Sequence, residues 1–413
     1  MNKFFGFIFC TFSLIIGLLG GAIGSVYLNL PLTDNLVIGE ETFYSNVSAD
    51  VKTVALTGAD DEFSVHFLEL GNKYTGDCTF IKYGDVDILI DCGSKSSSVS
   101  AVTGYLNNYI TDNTLEYVIV THAHQDHYAG FATTTKVSSI FDLYVCETII
   151  DFGNACNQKE DAKTYNNYLR ERDDEVAAGA THIPAIECRN GNGSNREFVI
   201  NEENDVKFEV LYNEYTKFDR NNPEATKDFK AKSENDYSVC TLFYYGDKTF
   251  LFTGDLEHEG EELLVQNNNL PTSVDLYKAG HHGSKTSSSS TLLNQINPEH
   301  ICVCCCAGSP EYTDTVNNQF PTQEFISRIV DCGSTDAVYV TTMCVDWEKD
   351  IFESMNGNIV IWTNAMEEGV FVNCSNNNIK LKDAEWFNKI VTDEKGVQRA
   401  NRQWLGTDAL LIE

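Results

Sequence analysis

The sequence feature that most constrains this 413-residue chain is the segment 121–130, which reads THAHQDHYAG. It places three imidazoles, those of His122, His124 and His127, and the carboxylate of Asp126 within six positions. The apolar, β-branched run just before it predicts a buried strand that ends where the segment begins. Imidazole and carboxylate are preferred ligands of zinc and of harder divalent ions, and the whole chain has only nine histidines. The segment therefore predicts a metal site rather than a solvated, histidine-rich loop.

Two later segments carry the same residue types at the ends of predicted strands. One of them ends in TGD at 253–255, where Asp255 is either a ligand or the N-cap of the helix that follows. The other leads into His281 and His282, and the spacing alone does not decide which of these imidazoles binds a metal. Because α/β sheets present sites at the carboxyl ends of their strands, these segments are candidates for the other half of the site.

The H-x-H-x-D-H order of segment 121–130 resembles the first signature of the metallo-β-lactamase superfamily. Residues 77–93 narrow the resemblance, because a strand, a Gly-Asp turn, a second strand and ILIDCG follow one another there. That pattern is similar to the hydrolase domain of bacterial DNA-uptake (competence) channel proteins and to its free-standing relatives. The resemblance implies an α/β (α+β) fold, a four-layer αββα sandwich with a dinuclear metal site at one edge of the sheets.

The resemblance also implies roles for individual residues. The expected metal ligands are His122, His124, Asp126, His127, Asp255 and His281. Asp255 would bridge two ions, and His282 would lie beside them as a substrate-binding group or proton donor. Superfamily members carry a further histidine upstream of the bridging Asp, and Asn235-Asp236 occupies that position here. Asp236 is therefore a candidate extra ligand, or with Asp126 a candidate for orienting the attacking water. An oxygen-rich set weakens the preference for zinc, so we expect two divalent ions, zinc or manganese.

The chain divides into four predicted parts. Residues 1–30 have a single charge, Lys3, ahead of a long apolar run, which predicts a signal peptide or membrane anchor. Acidic residues follow the run, so the positive-inside rule places the remainder outside the membrane, secreted or anchored. Residues 31–61 are expected to be a linker, 62–375 the hydrolase domain and 376–413 an extension that packs on it or hangs free.

Charge limits the choice of partner. The chain has 61 acidic and 29 basic residues and a formal charge of −32, so it repels polyanions at long range and is not expected to bind nucleic acid generally. A phosphate ester remains a possible substrate, because metal ions supply positive charge locally.

Two stretches of the chain lead to less specific expectations. Residues 132–204 show no regular apolar pattern apart from a charged helix over 160–178, and His182 is a ligand candidate by residue type only. Asn356-Gly357 predicts a hairpin turn between strands at 345–355 and 359–362. Of the fourteen cysteines, four lie in the apolar run 301–306 and are expected to be buried as small apolar residues, with a soft-metal site or disulfides as alternatives.

These observations predict an exported metal-dependent hydrolase of phosphodiester or other ester bonds in a small molecule or surface polymer. Hydrolysis of β-lactams or of other amides and esters is the alternative within the same class. A catalytically inactive surface binding module on the same fold is the alternative from another class, since the additional histidine is absent.

Overall fold

The computed structural model describes residues 36–38, 41–43, 53–54, 56–153, 155, 162–189, 195–213, 233–392, 396 and 398–410. The chain divides into two units, residues 1–49 and 50–413. The predicted signal peptide or anchor at 1–30 lies outside the described residues. Within the described part, no helix has both the length and the apolar character needed to cross a membrane.

The described residues form short strands and helices. The strands are β1 (Leu36–Ile38), β2 (Glu41–Phe43), β3 (Phe63–Phe67), β4 (Thr79–Tyr83), β5 (Val86–Ile90), β6 (Thr114–Val120), β7 (Val145–Asp151), β8 (Thr181–Pro184), β9 (Glu197–Asn201), β10 (Val206–Tyr212), β11 (Cys240–Tyr245), β12 (Lys248–Phe252), β13 (Leu276–Lys278), β14 (His300–Ala307), β15 (Val338–Asp346), β16 (Ile351–Ser354), β17 (Ile359–Thr363), β18 (Phe371–Cys374), β19 (Ile390–Thr392) and β20 (Gln398–Ala400). The α-helices are α1 (Val99–Leu106), α2 (Gln125–Tyr128), α3 (Ile140–Leu143), α4 (Lys163–Ala178), α5 (His258–Asn267), α6 (Ser290–Ile296), α7 (Gln323–Cys332), α8 (Glu385–Asn388) and α9 (Thr407–Leu410).

Two eight-stranded sheets dominate the unit 50–413. The first has the order β18-β17-β3-β4-β5-β6-β7-β8 and the second the order β16-β15-β14-β13-β12-β11-β10-β9. Each sheet opens with an antiparallel meander, β3 to β5 or β9 to β12, and continues with parallel strands. Parallel neighbours need long crossover connections, and these connections contain helices α1 to α4 in the first sheet and α5 to α7 in the second.

The two sheets pack face to face through alternating apolar side chains. Phe63 of β3 lies 4.8 Å from Phe250 of β12, and Phe67 lies 6.3 Å from Phe252, measured between ring centroids. One buried core joins the facing sheet surfaces and extends to α1 and α4. A second core joins the outer face of the second sheet to α5, α6 and α7. These layers confirm the αββα sandwich.

The structure differs from the sequence-based predictions in two segments of the chain. Residues 132–204 contain β7, β8 and β9 besides the predicted helix. The predicted hairpin at Asn356-Gly357 is wrong, because β16 pairs with β15 in the second sheet whereas β17 pairs with β3 in the first. The buried Asn356 side chain donates to the carbonyl of Val340 and accepts from the amide of Ile379, at 3.0 and 2.9 Å. These bonds fix the segment as a crossover between the sheets.

The described part of the predicted extension packs on the second core. Leu381, Trp386 and Phe387 are buried in that core. Arg402 is only 2% exposed and donates to three backbone carbonyls of the segment that precedes α7. These acceptors are the oxygens of Val316 (3.0 Å), Gln319 (2.8 Å) and Pro321 (2.9 Å). A buried cation with this many acceptors ties the C-terminal residues to the rest of the unit.

Arg402→Ala is expected to lower the free energy of unfolding by about 3 kcal/mol, because it leaves buried carbonyls without their donor. Urea denaturation measures the change. Arg399→Ala is the matched control, since Arg399 is only half-buried and makes a 3.1 Å bond to the Asn317 side chain. The control should lose no more than about 1 kcal/mol. Equal losses in the two variants would contradict the anchoring role of Arg402.

Candidate metal centre

The candidate site lies where parallel strands of both sheets end. Ile90 of β5 aligns with Ile119 of β6, and Phe252 of β12 aligns with Lys278 of β13. Because these neighbours are in register, the residues that follow each strand emerge at one edge. The histidine segment follows β6 and continues into α2, and the two other predicted segments follow β12 and β13.

Four side chains from both halves of the unit form a compact group. Its members are Asp126, His127, Asp255 and His282, and their candidate ligand atoms all lie within 4.8 Å of one another. Asp255 Oδ2 lies 3.1 Å from His127 Nε2 and 3.3 Å from His282 Nε2. His282 Nε2 lies 3.4 Å from Asp126 Oδ2. We call these four residues the ligand group.

His122 and His124 lie beside the ligand group. His122 Nε2 is 3.0 Å from His124 Nδ1 and 4.0 Å from Asp255 Oδ2, so Asp255 faces both pairs of histidines. Burial, reinforced by the neighbouring His127, lowers the pKa of His122 well below its usual value. Burial likewise lowers the pKa of His124. Both rings are therefore neutral at physiological pH, which is the form of imidazole that binds metals.

The structure places His281 and His282 the other way round from the sequence-based assignment. His282 is buried and donates from Nδ1 to the carbonyl of Cys304 at 2.8 Å, which turns its Nε2 into the ligand group. His281 is partly exposed, and its Nδ1 lies 3.1 Å from Thr286 Oγ1 and 3.5 Å from Glu257 Oε1. Both residues adopt left-handed backbone, with φ of 46° and 54°. The direction of each ring depends on this backbone conformation, which histidine spacing does not reveal.

Asp236, a predicted catalytic residue or extra ligand, lies outside the ligand group. It is buried near the start of α5, and its Oδ1 has no hydrogen-bond partner among the described residues. Burial, reinforced by Glu257, raises the pKa of Asp236 to about 6. The carboxylate therefore lies beside the N-terminal end of α5 rather than among the candidate ligands. Asn235 is the residue that reaches toward the site, with its Nδ2 3.4 Å from His281 Nδ1.

Asp91 holds one ring of the ligand group in place. His127 donates from Nδ1 to Asp91 Oδ2 at 2.7 Å, which leaves Nε2 facing Asp255. The backbone amide and hydroxyl of Thr121 also donate to Asp91, at 2.8 and 2.7 Å. A carboxylate behind a metal-binding imidazole fixes its tautomer and orientation. Asp91 therefore positions the His127 ring from outside the ligand group. His182, a ligand candidate by residue type only, lies outside the ligand group, and its Nε2 pairs with Asp151 Oδ1 at 2.8 Å.

Sequence reasoning missed a buried ion pair beneath the site. The Lys278 ammonium contacts the carboxylate of Asp77, donates to the carbonyl of Gly254 at 3.2 Å and lies 3.8 Å from Asp255 Oδ1. Burial opposes the charge on Asp77, yet Lys278 and His282 hold the pKa of Asp77 below its usual value. The sequence does contain a sign of this ion pair, which is the lysine within the apolar run at 274–279. A lysine buried in a strand needs a charged partner.

An open cleft of about 480 Å³ leads from solvent to Asp126 and Asp255. Polar side chains line it, and Lys95 pairs across it with Glu311 at 3.2 Å. Tyr312, which sequence reasoning also missed, donates from its hydroxyl to Asp126 Oδ2 at 2.7 Å. A water or a small polar substrate can therefore reach the ligand group from this side.

The ligand group fits a divalent cation. The ring nitrogens Nε2 of His127 and His282 and the oxygen Oδ1 of Asp255 are buried without a well-formed hydrogen bond to any described residue. Burial opposes the charge on Asp255, but His127 and His282 lower the pKa of Asp255 well below its usual value. Buried polar atoms normally have partners, so converging unpartnered atoms of this type are the donor set that a divalent cation requires.

Comparison with known proteins agrees with this geometry. Residues 71–139 match the Metallo-beta-lactamase superfamily. ComE operon protein 3 of Bacillus subtilis is 26% identical over 186 residues, which cover 45% of this chain and 19% of that protein. Competence protein ComA of Neisseria gonorrhoeae is 44% identical over 71 residues, which cover 17% and 10%. Recombination protein 2 of Haemophilus influenzae is 35% identical over 69 residues, covering 17% and 8%.

The chain thus spans less than a fifth of the length of each of these relatives. Among solved structures, the metallo-β-lactamase fold protein YhfI from Bacillus subtilis aligns with 68% of this chain and 97% of its own, with 11% identity and a TM-score of 0.37. That likeness is too low to support an inference. The matched segment contains the H-x-H-x-D-H signature, and the relatives are competence and recombination proteins. On these grounds, residues 71–139 are assigned to the metallo-β-lactamase superfamily.

Proposed function

We propose that this protein is a metal-dependent hydrolase of phosphodiester bonds in a small molecule or surface polymer. The observation that carries the proposal is the ligand group, a largely buried, converging set of imidazoles and carboxylates at the base of an open polar cleft. The superfamily domain supports the hydrolytic class. The apolar segment 1–30 supports export, with the domain secreted or anchored outside the membrane.

The side chains offer two sets of ligands. Asp126, His127, Asp255 and His282 would hold one ion. His122 and His124, together with Asp255, would hold a second ion with fewer protein ligands. When bound, zinc or manganese would polarise a substrate oxygen and lower the pKa of a water molecule.

The other residues of the site prepare these positions. Asp91 orients the His127 ring, and Lys278 balances part of the negative charge of Asp77 and Asp255. Asp126 opens onto the cleft, where it can orient an incoming water or accept its proton. His281 and Asn235 line the same cleft and are placed to contact substrate rather than metal.

The size of the cleft and the net charge of the chain favour a small substrate. The cleft volume of about 480 Å³ is within the range of pockets that enclose small ligands. Lys95 is its one cationic lining residue among those described, and it is already paired with Glu311. The net charge of −32 disfavours a long polyanion such as DNA. A β-lactam or another amide or ester is the competing substrate class, because the same ions would polarise a carbonyl oxygen.

The zinc- or manganese-loaded protein is expected to hydrolyse a chromogenic phosphodiester such as bis(p-nitrophenyl) phosphate, and a chelator should abolish the rate. Adding back the metal should restore it. A β-lactam and a carboxylic ester serve as comparison substrates. Clear turnover of either, without phosphodiester turnover, would refute the substrate class. Metal binding without any turnover would favour the inactive binding module.

Metal content tests the assignment of the two adjacent histidines. His282→Ala should weaken metal binding by more than about 100-fold, because it removes a ligand rather than an outer partner. His281→Ala is the matched control and should keep metal affinity within about tenfold, since its ring contacts Thr286 and Glu257. Elemental analysis and metal titration measure both. Loss of metal in the His281 variant alone would restore the sequence-based assignment.

A further inference from the structure

Tyr312 is the one aromatic residue among the described cleft-lining side chains, and neither the ligand group nor the predicted site accounts for it. The residue is 54% exposed, whereas its hydroxyl reaches inward to Asp126 Oδ2 at 2.7 Å. A tyrosine that serves packing alone normally buries its ring. Here the apolar part faces the open cleft and the polar end touches the reaction centre.

The position of Tyr312 is specified from both sides. The preceding residue, Glu311, accepts from the backbone amide of Thr75 at 3.0 Å and from Lys95 at 3.2 Å. On the other side, the Tyr312 ring lies 5.7 Å from that of Phe320, which in turn lies 5.8 Å from the His282 ring. The segment is closed by a 2.8 Å bond from the amide of Gly308 to the carbonyl of Phe320.

Arg402, one of the C-terminal residues, anchors the same segment. Its guanidinium donates to three carbonyls between Val316 and Pro321, so the C-terminal residues support the backbone that follows Tyr312. These contacts keep the Tyr312 hydroxyl at the mouth of the ligand group. A group held there, within reach of Asp126, meets any substrate that approaches the ions through the cleft.

We propose that Tyr312 is a catalytic residue that donates a hydrogen bond to an oxygen of the bound phosphoryl group as negative charge develops on it. This role rests on the proposed function. On substrate binding the hydroxyl transfers its hydrogen bond from Asp126 to the substrate oxygen. The tyrosine O–H bond stays intact, so the step requires no proton acceptor or other co-reactant. A fixed donor beside developing charge stabilises the transition state more than the ground state.

Tyr312→Phe tests this role, because it removes the hydroxyl and leaves the ring. With bis(p-nitrophenyl) phosphate and the metal-loaded protein, kcat is expected to fall about 10- to 100-fold, mostly without a change in KM. Metal content and the thermal midpoint should match those of the wild type. Tyr74→Phe is the control, since the Tyr74 ring lies beside Lys95 without lining the cleft, and it should change kcat by less than about twofold.

A second readout is binding of inorganic phosphate to the metal-loaded proteins by calorimetry. Tyr312→Phe should weaken it about 5- to 10-fold, corresponding to one lost hydrogen bond. Unchanged kcat, or a loss of rate that follows a loss of metal, would overturn the proposal, the latter by showing that Tyr312 acts only on Asp126. Absence of phosphodiester turnover in the wild type would refute the proposed function. In that case, unchanged phosphate binding by the variant would still overturn the role of Tyr312, and weakened binding would support it.

Discussion

The burial of several carboxylates at one point is the constraint on which this structure depends. Asp77, Asp91 and Asp255 are almost completely buried, and the buried Lys278 ammonium lies beside two of them. In a low-dielectric interior each carboxylate requires a donor or a counter-charge. Thr121 and His127 meet that need for Asp91, and Lys278 meets it for Asp77. Asp255 faces the Nε2 atoms of His127 and His282, and a divalent cation could bind all three side chains.

The sandwich makes this concentration of charge possible. Each sheet changes from an antiparallel meander to parallel strands, and the parallel strands end at the same edge. The first sheet supplies His122 to His127, and the second sheet supplies Asp255 and His282. Neither half holds a complete ligand set, so the site exists only where the two sheets meet. The cleft-lining residues Lys95 and Glu311 form an ion pair across the same boundary, beside the open cleft.

Much of the candidate site was predictable from short sequence motifs. The H-x-H-x-D-H order placed four residues at one strand end, and TGD and HHG located the second half of the site. These patterns work because strand ends and ligand chemistry are local properties. The orientation of His281 and His282 was not predictable, because it depends on two left-handed residues and on the carbonyl of Cys304. Asp236 occupied the expected position in sequence but lies beside the start of α5, outside the ligand group, and spacing alone does not reveal that placement. Asn356-Gly357 has the composition of a hairpin turn, and only long-range pairing shows that it is a crossover.

That crossover has a consequence for how the protein must fold. It carries the chain from the second sheet back to the first, where β17 pairs with β3 across a sequence separation of roughly 300 residues. The central part of the first sheet therefore gains its neighbour only after nearly all of the chain has been synthesised. Contacts this distant in sequence slow folding and leave strand edges exposed in the meantime.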